Sequence, residues 1–434
     1  MPLNHMCNYK PFRPVQKDLP MNNILRVKME EARILLENKL FNAKTSLVYD
    51  SLSSHDPEHR FDHLPYPEEI SLQLPNPAGW GTGMEDSMLN AGSVVEAYLI
   101  RAELESETRV SSLAFIRKII QGMKLCATVH GKPGFVVRSV SPRDGKSCYI
   151  NSSRDQFTLF AYGLWRFFRS PFAEEADQKL IMKLLSAVAD YCEEHVCSAT
   201  GNNLLRLDGQ PAMVSRMVGV NPHEEFRLPM LYLAAYAVSG KERYFTLYKK
   251  YADKALDITL SLDTARSWWN LELAQMQISL ALAFIEDPSP VRQEKIHRIM
   301  NLVADIAEQS FLEHEGPRML GFEGDWDQET IPWAKAWKMT LRSESIHSDG
   351  PSLFYGLLYM KPWESKLFID AFDRIRAVGN LAVAVALNPT HKPSEKFVSM
   401  FRRAAVHPTY TRHTSAGVCN MLHGYYLLRK RVRL

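Results

Sequence analysis

The sequence predicts an all-α fold in which six helical hairpins, twelve helices in all, close into an (α/α)6 toroid with long loops at one rim. Three observations lead to this prediction. Apolar residues recur at helical spacing, apolar and amphipathic helices alternate along the chain, and short connections alternate with long ones. We expect residues 1–20 to be an N-terminal extension and residues 21–434 to form a single domain.

The composition is that of a globular protein, with 46% hydrophobic and 23% charged residues. Lysine and arginine total 52 against 49 acidic residues, and a net charge of +3 is too small for a polyanion-binding surface, so no nucleic-acid partner is expected. The start of the chain has neither a signal-peptide pattern nor a membrane-spanning one. We therefore expect no membrane partner and a cytoplasmic location as written, or a periplasmic or secreted one if a leader has been removed.

Helical periodicity defines the twelve segments. In chain order they span residues 21–41, 84–104, 110–129, 154–169, 174–196, 224–239, 241–260, 266–285, 290–312, 351–360, 364–387 and 413–430. The odd-numbered segments are mostly amphipathic, as in 174–196, where Leu180, Leu184 and Val188 form one stripe. The even-numbered segments are apolar nearly all round, as in 154–169, which is typical of helices buried on two faces. We interpret the even-numbered segments as an inner ring and the odd-numbered ones as an outer ring.

Connections after the inner helices are short, whereas those after the outer helices are long, with residues 261–265 the exception. The long ones span residues 42–83, 130–153, 197–223, 313–350 and 388–412. This arrangement places the N-termini of the inner helices and the long loops at the same rim, where function usually resides. An open helical solenoid is the alternative, although stacked repeats usually keep their loops uniform.

Acidic residues open the first two inner helices. Gly79-Trp80-Gly81-Thr82-Gly83-Met84-Glu85-Asp86 precedes the first, and Ser152-Ser153-Arg154-Asp155-Gln156 begins the second, with Ser152 or Ser153 as the expected cap. An acid in a first turn can simply stabilise the helix dipole. Two acids on neighbouring inner helices would instead converge on one axis, as acid and base catalysis requires. We take Asp155, Asp86 and Glu85 as candidate catalytic residues.

Polar and aromatic residues in the segments that open the inner helices suit sugar binding, because sugar rings stack on aromatic rings and hydroxyl groups bond to charged side chains. The candidate binding residues are Trp80, Arg154, Arg206, Arg216, His223, Trp326, Trp333, His347, Asp349 and His413. The pair Trp268 and Trp269 is interpreted as core rather than as a binding platform. The acids Asp325, Asp327 and Asp349 match no calcium-loop spacing, and the six cysteines match no metal-binding pattern, so we expect neither a metal nor a cofactor.

This layout resembles the (α/α)6-barrel glycosidases, in particular the unsaturated glucuronyl hydrolases and related glucuronidase-like proteins of polysaccharide-degrading bacteria. The motif-level resemblance lies in Gly79-Trp80-Gly81-Thr82-Gly83-Met84-Glu85-Asp86 and Ser153-Arg154-Asp155-Gln156. In that family two aspartates at inner-helix starts perform the reaction. By this resemblance Asp86 is similar to the first, and Asp155 to the second, which donates a proton and activates water.

The sequence thus favours a glycoside hydrolase acting on uronic-acid-containing or related oligosaccharides, as a monomer or homodimer. Asp155 is expected to be the general acid/base, with its pKa raised by desolvation. A polysaccharide lyase on a similar toroid is the first alternative; its candidate bases and acids are Tyr149, Tyr410, His223, His347 and His413. The second is a non-catalytic carbohydrate-binding protein, in which the rim acids would be engaged in salt bridges.

Overall fold

The computed structural model describes residues 21–74, 79, 82–263, 268–324, 326, 362–432 and 434, and within 362–372 it describes only the backbone. In chain order its α-helices are α1 (Met21–Leu35), α2 (Pro67–Ser71), α3 (Ser87–Leu104), α4 (Arg109–Thr128), α5 (Arg154–Phe168), α6 (Glu175–His195), α7 (Arg227–Ser239), α8 (Glu242–Leu260), α9 (Asn270–Glu286), α10 (Pro290–Ser310), α11 (Gly316–Leu320), α12 (Pro362–Ala386), α13 (Glu395–Val406) and α14 (Gly417–Arg431).

Six helices form a closed inner ring. In order around the ring they are α3, α5, α7, α9, α12 and α14; each packs against the next, and α14 packs against α3. The helices α1, α4, α6, α8, α10 and α13 pack outside them. The prediction of an (α/α)6 toroid made of six helical hairpins is therefore confirmed, and contact between the last and first inner helices excludes an open solenoid.

The burial of each layer follows from its sequence. In α7 the run from Leu228 to Ala235 is buried without interruption, because this helix has ring neighbours on both sides and an outer helix behind it. In α6 only one stripe is buried, including Leu184, Val188 and Tyr191, while the opposite side is charged and exposed. Among the described helices none is both long enough and apolar enough to cross a bilayer.

The last two hairpins differ from the prediction. The segment 364–387, interpreted as an outer helix, corresponds to the inner helix α12, and the loop predicted at 388–412 contains the outer helix α13. The predicted inner helix 351–360 lies outside the described residues. The error has a physical cause: α13 is short and flanked by proline, yet Phe397, Phe401 and Ala404 form a buried stripe at helical spacing.

Two small hairpins lie within the long loops. Strand β1 (Phe41–Asn42) pairs with β2 (Leu47–Val48), and β3 (Asn203–Leu205) pairs with β4 (Pro211–Arg216). The chain after β2 runs beside the segment that leads into α14: Leu52 donates its N–H to the carbonyl of Thr414, and Ala416 donates to that of Asp50. These hydrogen bonds fix residue 50 at the rim where the inner helices begin.

Candidate active site

The start of α3 is capped by a residue from the first long loop. Asp86 is the N-cap residue, but its own side chain makes no capping hydrogen bond. Instead, the carboxylate of Asp50 accepts the backbone N–H of Glu85 at 2.8 Å and of Asp86 at 3.2 Å, and the amide of Asn90 at 3.3 Å. Because Asp50 serves as the cap, the side chain of Asp86 remains 23% exposed.

Asp50 is buried, and burial raises its pKa well above the usual value for an aspartate. The neighbouring carboxylates of Asp86 and Glu85 raise it further, while the hydrogen bonds from the two backbone N–H groups act in the opposite direction. The start of α3 thus holds a buried carboxyl group, whose protonated form is favoured by burial, next to a more accessible acid.

Asp86 is held by the neighbouring inner helix and faces two arginines. The amide of Gln156, in the first turn of α5, donates to Oδ1 of Asp86 at 3.1 Å. The guanidinium nitrogens of Arg138 and Arg376 lie 4.0 Å and 3.8 Å from its two oxygens. Arg138 also donates to the backbone carbonyl oxygen of Glu85, and Glu85 itself is a half-buried residue. The Asp86 carboxylate is therefore fixed in position and surrounded by positive charge.

Asp155 occupies the first turn of α5, as the sequence predicts, but the expected cap does not form: Ser153 is the N-cap residue and makes no side-chain capping bond. The Asp155 carboxylate instead accepts a hydrogen bond from the guanidinium of Arg227 in the first turn of α7. Arg227 is only 3% exposed, whereas the Asp155 side chain is 28% exposed. The ion pair thus joins two neighbouring inner helices at the rim.

The expected rise in the pKa of Asp155 is wrong. Burial does act to raise it, but the charge and hydrogen bond of Arg227, together with the charges of Arg154 and Arg138, lower the pKa below its usual value. The positive charge of Arg138 helps to lower the pKa of Asp155, and Arg138 also lies 4.0 Å from Asp86, so one arginine acts on both acids. Asp155 is therefore ionised near neutral pH.

Arg154 and His223 belong to a buried polar network between α5, α7 and α9. Arg154 donates to Glu224 and to the backbone carbonyl of Arg216, the latter at 2.8 Å. Nε2 of His223 lies 3.1 Å from a carboxylate oxygen of Glu272 and 3.8 Å from one of Glu224. These contacts fix the helix starts but bury both predicted binding residues.

The other two predicted arginines lie on the β3–β4 hairpin. Arg206 forms a two-pronged ion pair with Asp208 at the hairpin turn. Arg216 is exposed and donates from Nε to the carbonyl of Val218 at 3.1 Å. Neither contacts Asp86 or Asp155 through a described hydrogen bond, so the structure does not join them to the two acids.

Trp326 and His413 are buried rather than presented to a ligand. The Trp326 ring packs against the rings of Phe322, His407 and His413. Burial lowers the pKa of His413 to about 4, and its Nε2 lies 2.5 Å from Oγ of Ser415. The prediction that Trp326 forms a sugar platform is therefore wrong, because other rings cover it. Four further candidates fall outside the described residues: Trp80, Trp333, His347 and Asp349.

Sequence reasoning missed several rim residues. Asp50 and Arg138 lie in long loops and carry no pattern that marks them. Arg227 lies in an otherwise apolar inner helix, and Arg376 lies in α12, which the sequence pattern assigns to the outer ring. The pair Trp268 and Trp269 was interpreted as core, which is correct only for Trp268. Trp268 is buried and donates to the carbonyl of Asp263 at 2.8 Å, whereas Trp269 is 50% exposed.

The described lyase candidates are all buried. Tyr149 and Tyr410 donate to the backbone carbonyls of Leu74 and Ala405, and burial raises the pKa of both tyrosines. His223 lies next to the carboxylates of Glu272 and Glu224, and His413 contacts the hydroxyl group of Ser415. None of these four side chains is placed as an accessible base, in contrast to the two partly exposed aspartates.

The fold and rim define a closed helical toroid with a carboxylate site at the N-terminal end of its inner ring.

No protein-family profile and no curated protein matches the sequence. Among solved structures, a glycoside hydrolase family 76 mannosidase from Bacteroides thetaiotaomicron VPI-5482 is similar over 95% of this chain and 99% of its own, at 10% identity and a TM-score of 0.42. The GH76A alpha-1,6-mannanase from Salegentibacter sp. HEL1_6 is similar over 67% of this chain and 88% of its own, at 10% identity and a TM-score of 0.33. Similarities this low have no bearing on activity; the ring of helix contacts establishes the toroid.

Proposed function

We propose that the protein is a glycoside hydrolase that uses Asp86 and Asp155 as its pair of carboxyl groups. The observation that carries the proposal is that two partly exposed aspartates lie at the starts of neighbouring inner helices, where Arg138 lies 4.0 Å from Asp86 and its charge also acts on Asp155. Hydrolysis of a glycosidic bond requires one carboxyl group to protonate the leaving oxygen and a second, ionised one to activate water or attack the sugar.

The electrostatics support an assignment of roles opposite to the expectation from sequence. Asp155 is kept ionised by Arg227 and therefore suits the base or nucleophile. Asp86 lies next to Asp50, whose pKa is raised by burial and by the negative charge of Asp86 itself. In this mechanism Asp86, the more exposed of these two carboxyl groups, takes the role of the general acid that protonates the glycosidic oxygen.

For the substrate we propose an oligosaccharide that contains uronic acid, as in the unsaturated glucuronyl hydrolases that the motifs resemble. The arrangement of charges supports this class, since Arg138, Arg227 and Arg376 lie next to the two acids. These guanidinium groups give the rim around the acids a positive potential, which attracts a carboxylate on the sugar.

The test compares the wild type with Asp86→Asn and Asp155→Asn on uronic-acid oligosaccharides, unsaturated glucuronides and neutral mannan oligosaccharides. Release of reducing ends should fall at least about a hundredfold in both variants, because each removes one member of the acid and base pair. Loss of absorbance from the conjugated double bond would identify an unsaturated glucuronide as substrate, whereas a gain would identify a lyase.

Asp208→Asn is the matched control. Asp208 is also paired with an arginine, but on the β3–β4 hairpin, and it makes no described hydrogen bond to Asp86 or Asp155. Its activity should equal that of the wild type. Full activity in Asp86→Asn or Asp155→Asn, measured on protein shown to be folded, would reject the proposed mechanism.

A non-catalytic carbohydrate-binding protein is the second candidate. One observation favours it: Asp155 forms an ion pair with the buried Arg227, as expected when rim acids have a structural role. Binding of an oligosaccharide to the wild type, measured by calorimetry, without release of any reducing end would support this candidate over the hydrolase.

A further inference from the structure

We propose that Trp269 is the platform on which a sugar unit stacks, in a subsite next to Asp86. The inference rests on the proposed function and extends it by assigning a substrate-binding residue that the sequence pattern had placed in the core. It depends on three features: the exposure of the Trp269 indole, the arginine over it, and the hydrogen bonds that hold its helix.

Trp269 is the N-cap residue of α9 and therefore lies at the rim where the inner helices begin. Half of its surface is exposed, although burying an indole is strongly favourable, whereas its neighbour Trp268 is buried. Its backbone N–H donates to the carboxylate of Glu272 at 3.2 Å, which fixes the backbone beneath the ring. An exposed indole on a fixed backbone at this rim suits stacking against the apolar face of a sugar.

Arg376 connects this platform with the candidate catalytic acid. Its guanidinium lies 5.3 Å from the centre of the Trp269 ring, and one of its nitrogens lies 3.8 Å from Oδ2 of Asp86. A single guanidinium group therefore separates the indole from the carboxylate. A sugar stacked on the face of the indole that Arg376 leaves open would lie at the same rim as Asp86, with the guanidinium group between this subsite and the carboxylate.

A chain of amide hydrogen bonds holds α9, α12 and α14 together just below the platform. Asn420 donates to Asn380 at 2.8 Å, and Asn380 donates to Asn270 at 2.8 Å. Asn270 follows Trp269 in sequence, and Asn380 lies one helical turn after Arg376, so this chain sets the distance between the indole and the guanidinium. The platform is thereby preorganised, which lowers the entropic cost of binding a sugar.

The experiment measures kcat and KM of Trp269→Ala on the oligosaccharide that the wild type cleaves. We expect KM to rise about tenfold and kcat to stay within about twofold, because a stacking contact contributes equally to substrate and transition state. Oligogalacturonides and neutral mannan oligosaccharides serve as binding probes. Either should alter the tryptophan fluorescence of the wild type, and Trp269→Phe should lose most of that change.

Tyr66→Ala is the control, because Tyr66 is also an exposed aromatic residue, at 54%, with an arginine over its ring, Arg143 at 3.9 Å. It should leave both kinetic constants unchanged. An unchanged KM in Trp269→Ala, with a wild type that is active, would overturn this inference and leave the proposed function intact. If an oligosaccharide changes the fluorescence of the wild type through Trp269 but is not cleaved, the proposed function is overturned and the stacking role of Trp269 stands. Absence of both binding and turnover in the wild type would overturn both, whereas self-association through Trp269, seen by light scattering, would overturn this inference alone.

Discussion

At the scale of single residues, the sequence places acids but not their partners. That Asp155 lies in the first turn of an inner helix follows from local periodicity and capping. Its protonation state depends on Arg227, which is 72 residues further along the chain and reaches Asp155 only because α5 and α7 are neighbours in the ring. Local patterns carry no information about such pairs, which is why the expected direction of the pKa shift was wrong.

The same ion pair leads to a prediction about stability. Asp155→Ala should lower the free energy of unfolding by about 2 kcal/mol, because it leaves the buried guanidinium of Arg227 without its carboxylate. Asp155→Asn should cost about half as much, since its amide oxygen can still accept the hydrogen bond. Denaturant titration measures both values. Asp208→Ala, which breaks an exposed pair with Arg206, should change stability by less than about 0.5 kcal/mol. Equal losses in Asp155→Ala and Asp208→Ala would show that the rim pair is no more important than a surface one.

At the scale of helices, the alternation of apolar and amphipathic segments predicts the layers well except in the last two hairpins. The first nine predicted helices correspond to α1 and α3 through α10 with the expected layer for each. The assignment then fails at α12 and α13, because a 12-residue amphipathic helix gives a weak periodic signal. What indicates that α12 is an inner helix is the largely apolar run of its second half, from Ala377 to Ala386, together with its packing between α9 and α14.

The packing of α12 against α14 depends on two glycines that let the helices approach closely. A Cβ added at Gly379 would lie 2.3 Å from the backbone carbon of Asn420, and one at Gly424 would lie 2.6 Å from the carbonyl oxygen of Gly379. We therefore expect Gly379→Ala to lower the free energy of unfolding by about 2 kcal/mol or more, since two backbones must separate. Gly321→Ala, where the nearest atom is 3.3 Å away, is the control and should cost less than about 1 kcal/mol. A comparable loss in both variants, measured by denaturant titration, would contradict the close-packing explanation.

At the scale of the whole molecule, ring closure places residues that are far apart in sequence around one rim. The sequence predicted the toroid, the rim and the two aspartates on α3 and α5. It could not predict Asp50, Arg376 or the exposure of Trp269, because these depend on how the long loops and the last inner helices meet across the ring. The roles of residues that depend on contacts between distant segments can be recognised only in the folded ring.

Burial of neutral histidines within this assembly should make the protein sensitive to mild acid. Burial lowers the pKa of His413 to about 4 and that of His63 to about 3, whereas both would titrate near 6.5 in the unfolded chain. Between pH 6.5 and the folded-state pKa the unfolded chain binds more protons, so stability must fall as the pH falls. For His413 the loss at pH 5 is about 2 kcal/mol relative to neutral pH. The depressed pKa of Asp155 acts in a separate window, because its stabilising effect is lost only as the pH falls below about 4.

The measurement is the midpoint of thermal unfolding between pH 7.5 and 4.5 for the wild type and His413→Gln. Glutamine does not titrate, so the variant should lose less stability on acidification than the wild type, even if it is less stable at neutral pH. His59→Gln is the control, because His59 is exposed and pairs with Asp62, which raises rather than lowers its pKa. That control should keep the full acid sensitivity of the wild type. If His413→Gln shows the same dependence on pH as the wild type, the acid sensitivity arises elsewhere, and the segment that joins the first long loop to α14 is not where protonation destabilises the ring.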